Sequence, residues 1–168
     1  IPSGIRMRRV DGLLLRKFPN FALSYSMHMM QIFSHNTHNY TYYLKGSNSS
    51  EIAEEFVNCY KNSIGLARMA GTSSDWVKWK NNMGPLQDRK ANRLWGITDI
   101  VRYGMVEWLK SIQAADADAK FTYVVNVISD NYENMADAIE FLVGDGITNP
   151  NGGINWGRVR IESGVKEP

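Results

Sequence analysis

Residues 121–128 read FTYVVNVI and carry the strongest strand signal of the chain. They are mainly β-branched or aromatic and apolar on nearly both faces, which is typical of a strand in the middle of a sheet. Asp130 and Glu133 follow with the spacing of a capping box and predict a helix that ends at Gly144. After a turn rich in Asn, Pro and Gly, residues 154–162 alternate and predict a final strand. The spacing is compatible with a split β-α-β unit and with an antiparallel return.

Strands also dominate the beginning of the chain. In the run 21–33, large apolar residues occupy alternate positions, which gives one apolar strand face. Residues 5–10 and 13–18 are shorter strands joined by Asp11-Gly12, a dipeptide typical of hairpin turns. The tyrosine-rich run 40–45 predicts a fourth strand.

Two helices are predicted in the middle of the chain. Apolar residues from Ile52 to Ala67 recur at helical spacing. Glutamates in the first predicted turn stabilise this helix because their negative charge lies at the positive end of the helix dipole. A second helical stripe runs from about Lys90 to Ile112. The connection between the two helices, residues 72–85, is polar but contains two tryptophans.

These elements predict one α+β domain over residues 1–168, with a mainly antiparallel sheet and about three helices. The predicted order is roughly β-β-β-β-α-α-β-α-β. Within the domain we distinguish a basic, strand-rich part (1–45), two helices with the Trp-containing connection (46–112), and an acidic strand-helix-strand part (113–168).

The composition fits a single globular domain. The chain has 168 residues, of which 43% are apolar, 21% charged and 11% aromatic, close to the average for soluble domains. No apolar run approaches the ~20 residues of a membrane-spanning helix. The single cysteine, Cys59, excludes an intramolecular disulfide. It predicts an intracellular, reducing compartment, with an organelle or a virion left open.

The charge is distributed unevenly along the chain. Residues 1–45 have a net charge of +5, residues 46–110 of +2, and residues 111–168 of −5, although the total is only +2. A region of one sign attracts a partner of the opposite sign whatever the total charge is. The profile therefore predicts association, either with another molecule or between copies of this chain, unless the two halves neutralise each other within the monomer.

Four arginines are the candidate anion-binding residues. Arg6 and Arg8 lie two apart on a predicted strand, as do Arg158 and Arg160 on the last one. Because side chains alternate between the faces of a strand, each pair shares a face. If the strands are neighbours, the planar guanidinium groups form one patch suited to phosphate or carboxylate. The alternatives are a nucleic-acid face, a contact with an acidic copy, and a solvated sheet face.

Aromatic residues are the candidate interface anchors. Trp76 and Trp79 stand beside lysines in the polar connection, where they either fold back onto the core or contact a partner or a membrane surface. Tyr42 and Tyr43 on the fourth predicted strand serve either the core or base stacking.

Catalytic sequence motifs are missing. The chain has no Gly-x-Ser-x-Gly, no phosphate-binding loop and no dinucleotide fingerprint. His35 and His38 have a spacing that metal sites use, but no further ligands lie near them in sequence. We therefore assign no catalytic residue, no metal and no cofactor; the sequence favours a protein that is not an enzyme but leaves enzymatic activity open.

In layout, the chain is similar to the matrix proteins of rhabdoviruses. The similarity rests on the Tyr-rich strand, on a helix with Tyr60 that leads into Ile64-Gly65 and Met69-Ala70-Gly71, and on the late strand-turn-helix. It implies self-association and a role between membrane and nucleocapsid. We predict a structural protein that assembles with itself or docks into a larger complex, with a viral matrix- or coat-like role as one form. The alternatives are a nucleic-acid-binding protein and an enzyme without a recognisable motif.

Overall fold

The computed structural model describes residues 24–25, 44–45, 49–62, 64, 66–69, 75–94 and 97–166. Within them lie five short strands: β1 (Ser24–Tyr25), β2 (Leu66–Met69), β3 (Asn92–Leu94), β4 (Ile97–Asp99) and β5 (Lys120–Tyr123). The α-helices of this part are α1 (Glu54–Tyr60), α2 (Met105–Ala115), α3 (Tyr132–Val143) and α4 (Trp156–Glu162). Two 3-10 helices, Trp79–Asn82 and Leu86–Asp88, follow the second strand.

The main sheet is parallel. Its strand order is β1-β2-β5, and the register of the second pair runs from Leu66 opposite Lys120 to Met69 opposite Tyr123. Helix α1 connects β1 to β2, and α2 precedes β5. Parallel strands need such crossover connections because the chain must return to the same end of the sheet before the next strand begins.

The predicted α+β fold with a mainly antiparallel sheet is therefore wrong. The described strands that form the three-stranded sheet are all parallel, and the antiparallel pairing is confined to the small β3-β4 sheet and an isolated bridge between Leu44 and Ile52. The described part also has one more α-helix than the three predicted. Alternating strands and helices are typical of α/β folds.

The first predicted helix is too long. Helix α1 ends at Tyr60, and Asn62 adopts a positive φ of 53° that interrupts helical geometry. The amide of Ile64 then donates to Oδ2 of Asp116 at 2.9 Å, and Ala67 belongs to β2. The apolar residues that resembled the end of a helical stripe are thus buried just before β2, at Ile64, and within it, at Ala67.

The second predicted helix begins too early. Residues 92–94 and 97–99 form the β3-β4 pair, and α2 starts only at Met105. A Cβ added to Gly104 would lie 2.7 Å from the carbonyl oxygen of Asn82, so this position allows only glycine without a shift. The side chain of Glu107 accepts from the Gly104 amide at 2.9 Å and caps the helix there.

The predicted last strand is helix α4. Asn155 caps its N-terminus by accepting from the amide of Arg158 at 2.8 Å. The buried residues Trp156, Gly157 and Arg160 then recur at helical and not at strand spacing. Helix α3 agrees with the sequence pattern, although Asn131 and not Asp130 is its cap.

The core lies between the helices and the sheet. Helix α1 packs on α2, and α3 packs on α4. Trp108 of α2 stands edge-on to Phe121 of β5, with ring centroids 5.2 Å apart. The largest fully buried side chains include Trp108, Tyr103, Phe56, Phe141, Leu44 and Ile64.

Several predicted strands lie outside the described residues. These are the runs 5–10 and 13–18 and, except for Ser24, Tyr25, Leu44 and Lys45, the runs 21–33 and 40–45. In the described part of the chain, no helix has both the length and the apolarity to cross a membrane.

Candidate functional site

The carboxyl ends of β2 and β5 lie at the same edge of the sheet. Met69 and Tyr123 are paired in the parallel register and end their strands together. The segments 75–82 and 124–131 come after these strands. We call the surface that these two segments form the carboxyl edge, and in open α/β sheets and barrels this is where ligands bind.

Asn126 fastens the two segments together. Its buried side chain donates through Nδ2 to the carbonyl oxygen of Val77 at 3.1 Å and to Oγ of Ser129 at 2.9 Å. Its Oδ1 accepts from the amides of Ile128 and Ser129 at 3.1 and 3.0 Å. All four hydrogen-bonding sites of the amide group are used.

Ser129 forms a second link between the segments. Its hydroxyl donates to the carbonyl oxygen of Asp75 at 2.7 Å. Side chains of segment 124–131 therefore hold the backbone carbonyls of Asp75 and Val77. Trp76 is the single residue between these two carbonyls. This fixes the backbone on both sides of Trp76.

The carboxyl edge exposes apolar surface beside carboxylates. The exposed fractions are 48% for Trp76, 70% for Val127 and 65% for Ile128. Asp75 and Asp130 are half-buried nearby in sequence. Oδ1 of Asp130 accepts from the amide of Asn131 at 3.0 Å and from Nδ2 of Asn134 at 2.6 Å.

The electrostatics at the end of β5 keep a phenol protonated. Burial, and after it the charge of Asp130, raises the pKa of Tyr123 above its usual value. The hydroxyl of Tyr123 is therefore neutral at physiological pH. Both effects act in the same direction because each disfavours a phenolate anion.

Trp79 attaches segment 75–82 to the last two helices. Its ring is buried and stands edge-on to Trp156, with ring centroids 4.9 Å apart. Its Nε1 donates to the carbonyl oxygen of Asn134 at 2.8 Å. Nζ of Lys80 pairs with Asp137 and lies 5.1 Å from the centroid of Trp156. The segment is thereby attached to α3 and α4.

A buried arginine holds the residues that follow segment 75–82. Nη2 of Arg89 lies 2.6 Å from Oε1 of Glu107, and both side chains are almost fully buried. Nη1 donates to the carbonyl oxygens of Val101 and Arg102, and Nε donates to that of Gly84. Arg89 thus joins the end of the Trp-containing connection to the start of α2.

The predicted interface aromatics separate in the structure. Trp76 is half-exposed, whereas Trp79 belongs to the core. Packing onto the core was one of the two alternatives that the sequence left open for these tryptophans. Tyr42 and Tyr43 lie outside the described residues. The interface role of Trp76 stays a prediction.

Arg158 and Arg160 do not share a face. On a helix, residues two apart point about 200° apart, whereas the predicted strand placed them together. Arg158 is exposed and pairs with Glu162 at 2.9 Å, and Arg160 is buried with its Nη1 donating to the carbonyl of Phe141 at 3.2 Å. Arg6 and Arg8 lie outside the described residues. The anion-binding role of these arginines stays a prediction.

Sequence reasoning missed Asn126, Ser129 and Arg89. Asn126 had a signal, because it is the one amide in the apolar run 121–128 and a buried polar group must be hydrogen-bonded. Arg89 had none, since its partner Glu107 is distant in sequence and its other acceptors are backbone carbonyls. Among the described residues, no group of three or more His, Cys, Asp or Glu side chains is placed to hold a metal ion. The histidines themselves lie outside that part.

A cleft of about 440 Å³ opens at the C-terminal end of α3, whereas the carboxyl edge meets the N-terminal end. The walls of the cleft combine apolar side chains with two carboxylates. Oε1 of Glu140 accepts from the amide of Trp156 at 3.1 Å, so this carboxylate helps to join α3 to α4. The lining includes Ile139, Glu140, Val143, Asp145 and Thr148.

Comparison with models of known protein families finds no match, and comparison with curated proteins finds none either.

Solved structures with a similar fold are α-L-arabinofuranosidases. The enzyme AbfB of Bifidobacterium longum, described as a family 51 α-L-arabinofuranosidase, superposes with a TM-score of 0.56 at 20% identity and covers 71% of this chain. The enzyme of Thermotoga maritima, solved as an arabinose complex, gives 0.57 at 16% over 71%. That of Xanthomonas axonopodis pv. citri, named as a GH51 arabinofuranosidase, gives 0.54 at 15% over 70%.

This likeness concerns the fold. The chain spans 23–24% of the length of these enzymes. They resemble (β/α)8 barrels, of which the matched region is a fragment. The parallel strands and crossover helices of the described part agree with such a fragment.

Proposed function

We propose that this chain forms part of the (β/α)8 barrel of a glycoside hydrolase that acts on arabinofuranosyl linkages. The observation that carries the proposal is the parallel register of β2 and β5, which brings segments 75–82 and 124–131 to one edge. In barrels of this kind, the loops after the strands build the active site. The similar fold of three arabinofuranosidases supports the substrate class.

Within this proposal, the described residues form a wall of the substrate site. Glycoside hydrolysis uses a pair of carboxyl groups on either side of the scissile bond. Oδ1 of Asp130 is occupied by Asn131 and Asn134, so we assign this carboxylate to shaping the edge and not to proton transfer. Asn126 and Ser129 hold the wall in position.

A hydrolysis assay tests the proposal. We expect the full-length protein to release 4-nitrophenol from 4-nitrophenyl α-L-arabinofuranoside and to leave the corresponding β-D-galactopyranoside intact. Asn126→Ala should lower the rate because it frees segment 75–82. The matched control, Asn58→Ala, replaces an exposed amide on α1 and should leave the rate unchanged. Failure of the wild-type protein to hydrolyse or bind any arabinofuranoside would contradict the proposal.

Self-association is a second candidate function, and it is compatible with the first. Exposed apolar side chains cluster around the α3-α4 connection: the exposed fractions are 53% for Ile139, 58% for Val143, 89% for Ile147 and 50% for Ile161. Exposed apolar clusters favour protein contacts. Light scattering at micromolar concentration should then give more than the monomer mass, with Ile147→Asp shifting it toward the monomer. A wild-type monomer would argue against association.

Nucleic acid, a membrane surface and an intracellular location are further predictions from the sequence. Binding of nucleic acid by the arginines would weaken steeply with salt, which a titration at two salt concentrations measures. Contact with a membrane surface and the intracellular, reducing location are likewise untested expectations from the sequence.

A further inference from the structure

We propose that Trp76 is an aromatic platform on which a sugar ring of the substrate stacks. The inference rests on the proposed function and adds a specificity-determining residue to it. The ligand class is an arabinofuranosyl oligosaccharide, whose rings have apolar C–H faces and hydroxyl edges.

Exposure distinguishes Trp76 from the other described tryptophans. Trp76 is 48% exposed, whereas Trp79, Trp108 and Trp156 are 4%, 0% and 9% exposed. Those three fill the core, and Trp79 uses its Nε1 for a backbone carbonyl. Packing thus explains the three buried rings but leaves a large part of Trp76 facing solvent. An aromatic ring presented in this way is suited to a contact that is apolar on one side and wet on the other.

The backbone around Trp76 is held before any ligand arrives. The carbonyl oxygens of Asp75 and Val77 accept hydrogen bonds from Ser129 and Asn126. The amide of Lys78 donates to Oδ1 of the buried Asn92 at 2.9 Å. Three side chains on two other segments therefore fix residues 75–78. A platform that is already ordered loses little conformational entropy when a ligand binds.

The surroundings of Trp76 suit a sugar. Val127 and Ile128 are exposed on the facing segment, between the positions of the two hydrogen bonds that join the segments. They supply apolar contacts for C–H groups. Asp75 precedes the ring in sequence, and its carboxylate accepts hydrogen bonds from hydroxyl groups. An edge that carries exposed apolar side chains and carboxylates favours a neutral polyhydroxyl ligand over an anion.

Substrate binding tests the platform. The probe is α-1,5-linked arabinotriose, and its affinity for the full-length protein is measured by calorimetry. Trp76→Ala should weaken binding about tenfold, in line with the loss of one aromatic contact. Trp76→Phe should recover part of that affinity because a smaller ring remains. In hydrolysis, Trp76→Ala should raise KM with little change in kcat, since stacking binds ground state and transition state alike.

Matched controls separate stacking from folding. Ile147→Ala removes an exposed apolar side chain beyond the C-terminal end of α3 and should leave affinity unchanged. Thermal unfolding of Trp76→Ala should match the wild type because the ring contributes little to the core. Bound arabinotriose should also protect Trp76 fluorescence from iodide, a difference that disappears in Trp76→Phe.

The outcomes distinguish the inference from the proposed function. Arabinotriose binding that is equal in the wild type and Trp76→Ala overturns the platform and leaves the hydrolase proposal intact. An equal loss of arabinotriose affinity in Ile147→Ala and Trp76→Ala also overturns the platform, since the loss would then not depend on the ring of Trp76. A wild-type protein that neither binds nor cleaves arabinofuranosides overturns the proposed function, and the platform with it.

Discussion

Arg89 and Glu107 form an ion pair in the interior of the fold, with Nη2 and Oε1 2.6 Å apart. Three further guanidinium donors are used by the carbonyls of Gly84, Val101 and Arg102. The other carboxylate oxygen accepts from the Gly104 amide. This pair holds the end of the Trp-containing connection, at Gly84, against the beginning of α2.

Arg89→Met should destabilise the fold by about 4 kcal/mol, because it leaves the Glu107 carboxylate buried without its cation. Urea unfolding measures the change. Arg158→Met is the matched control: its partner Glu162 is exposed, and exposed pairs contribute at most about 1 kcal/mol. Equal losses in the two variants would show that burial does not determine the energy of these pairs.

Asn126→Ala should cost about 2 kcal/mol, since the carbonyl of Val77 and the amides of Ile128 and Ser129 lose their partner. Hydrogen exchange at the amides of Ile128 and Ser129 should become faster in the same variant. Asn126→Asp keeps the acceptor and loses the donor, so it should protect those amides while releasing Val77. Unchanged exchange in Asn126→Ala would refute the role of Asn126 as a fastener.

Gly157→Ala should separate α3 from α4. A Cβ at this position would lie 2.8 Å from the carbonyl carbon and 2.9 Å from the Cα of Gly144, and backbone atoms cannot yield as a flexible side chain does. We expect a loss of about 2 kcal/mol by overpacking, measured by thermal unfolding. For comparison, Gly152→Asn places a residue that tolerates positive φ where nothing lies within 4 Å. It should have little effect, and a larger loss there than in Gly157→Ala would contradict this contact.

Stability should fall at high pH because of Tyr123. Its folded-state pKa is raised, first by burial and then by Asp130, so the unfolded chain releases this proton at lower pH. The contribution is complete below the unfolded pKa of about 10 and is lost as the pH rises above it. Urea midpoints between pH 9 and pH 11 should decline less in Tyr123→Phe than in the wild type. Parallel declines would assign the loss to other groups.

Helix α3 and strand β5 were predictable because their signals are local. Helical spacing from Met135 to Leu142 predicts α3 correctly, although its cap is Asn131 and not the predicted Asp130. The β-branched run 121–128 overlaps β5, although β5 spans only Lys120–Tyr123. The direction of pairing was not predictable, because a strand has the same alternation in parallel and antiparallel sheets.

The candidate site was only partly predictable. Trp76 was visible as a tryptophan in a polar connection, but the same pattern selected Trp79, which is buried. Trp79 is buried because its Nε1 donates to the carbonyl oxygen of Asn134 and its ring packs on Trp156. Both partners are distant in sequence. Asn126 and Ser129 acquire their role only when the segments after β2 and β5 meet.

The sequence alone determined where α3 lies, from Met135 to Leu142, and that a strand precedes it. The tertiary structure alone decided that residues 156–162 form a helix. Their alternating pattern of Val159, Arg160 and Ile161 favours a strand. The helix prevails because Asn155 caps it and because the carbonyl of Phe141, at the end of α3, accepts from the buried guanidinium of Arg160. A buried arginine is tolerated only where such acceptors exist, and only the folded chain brings them to it.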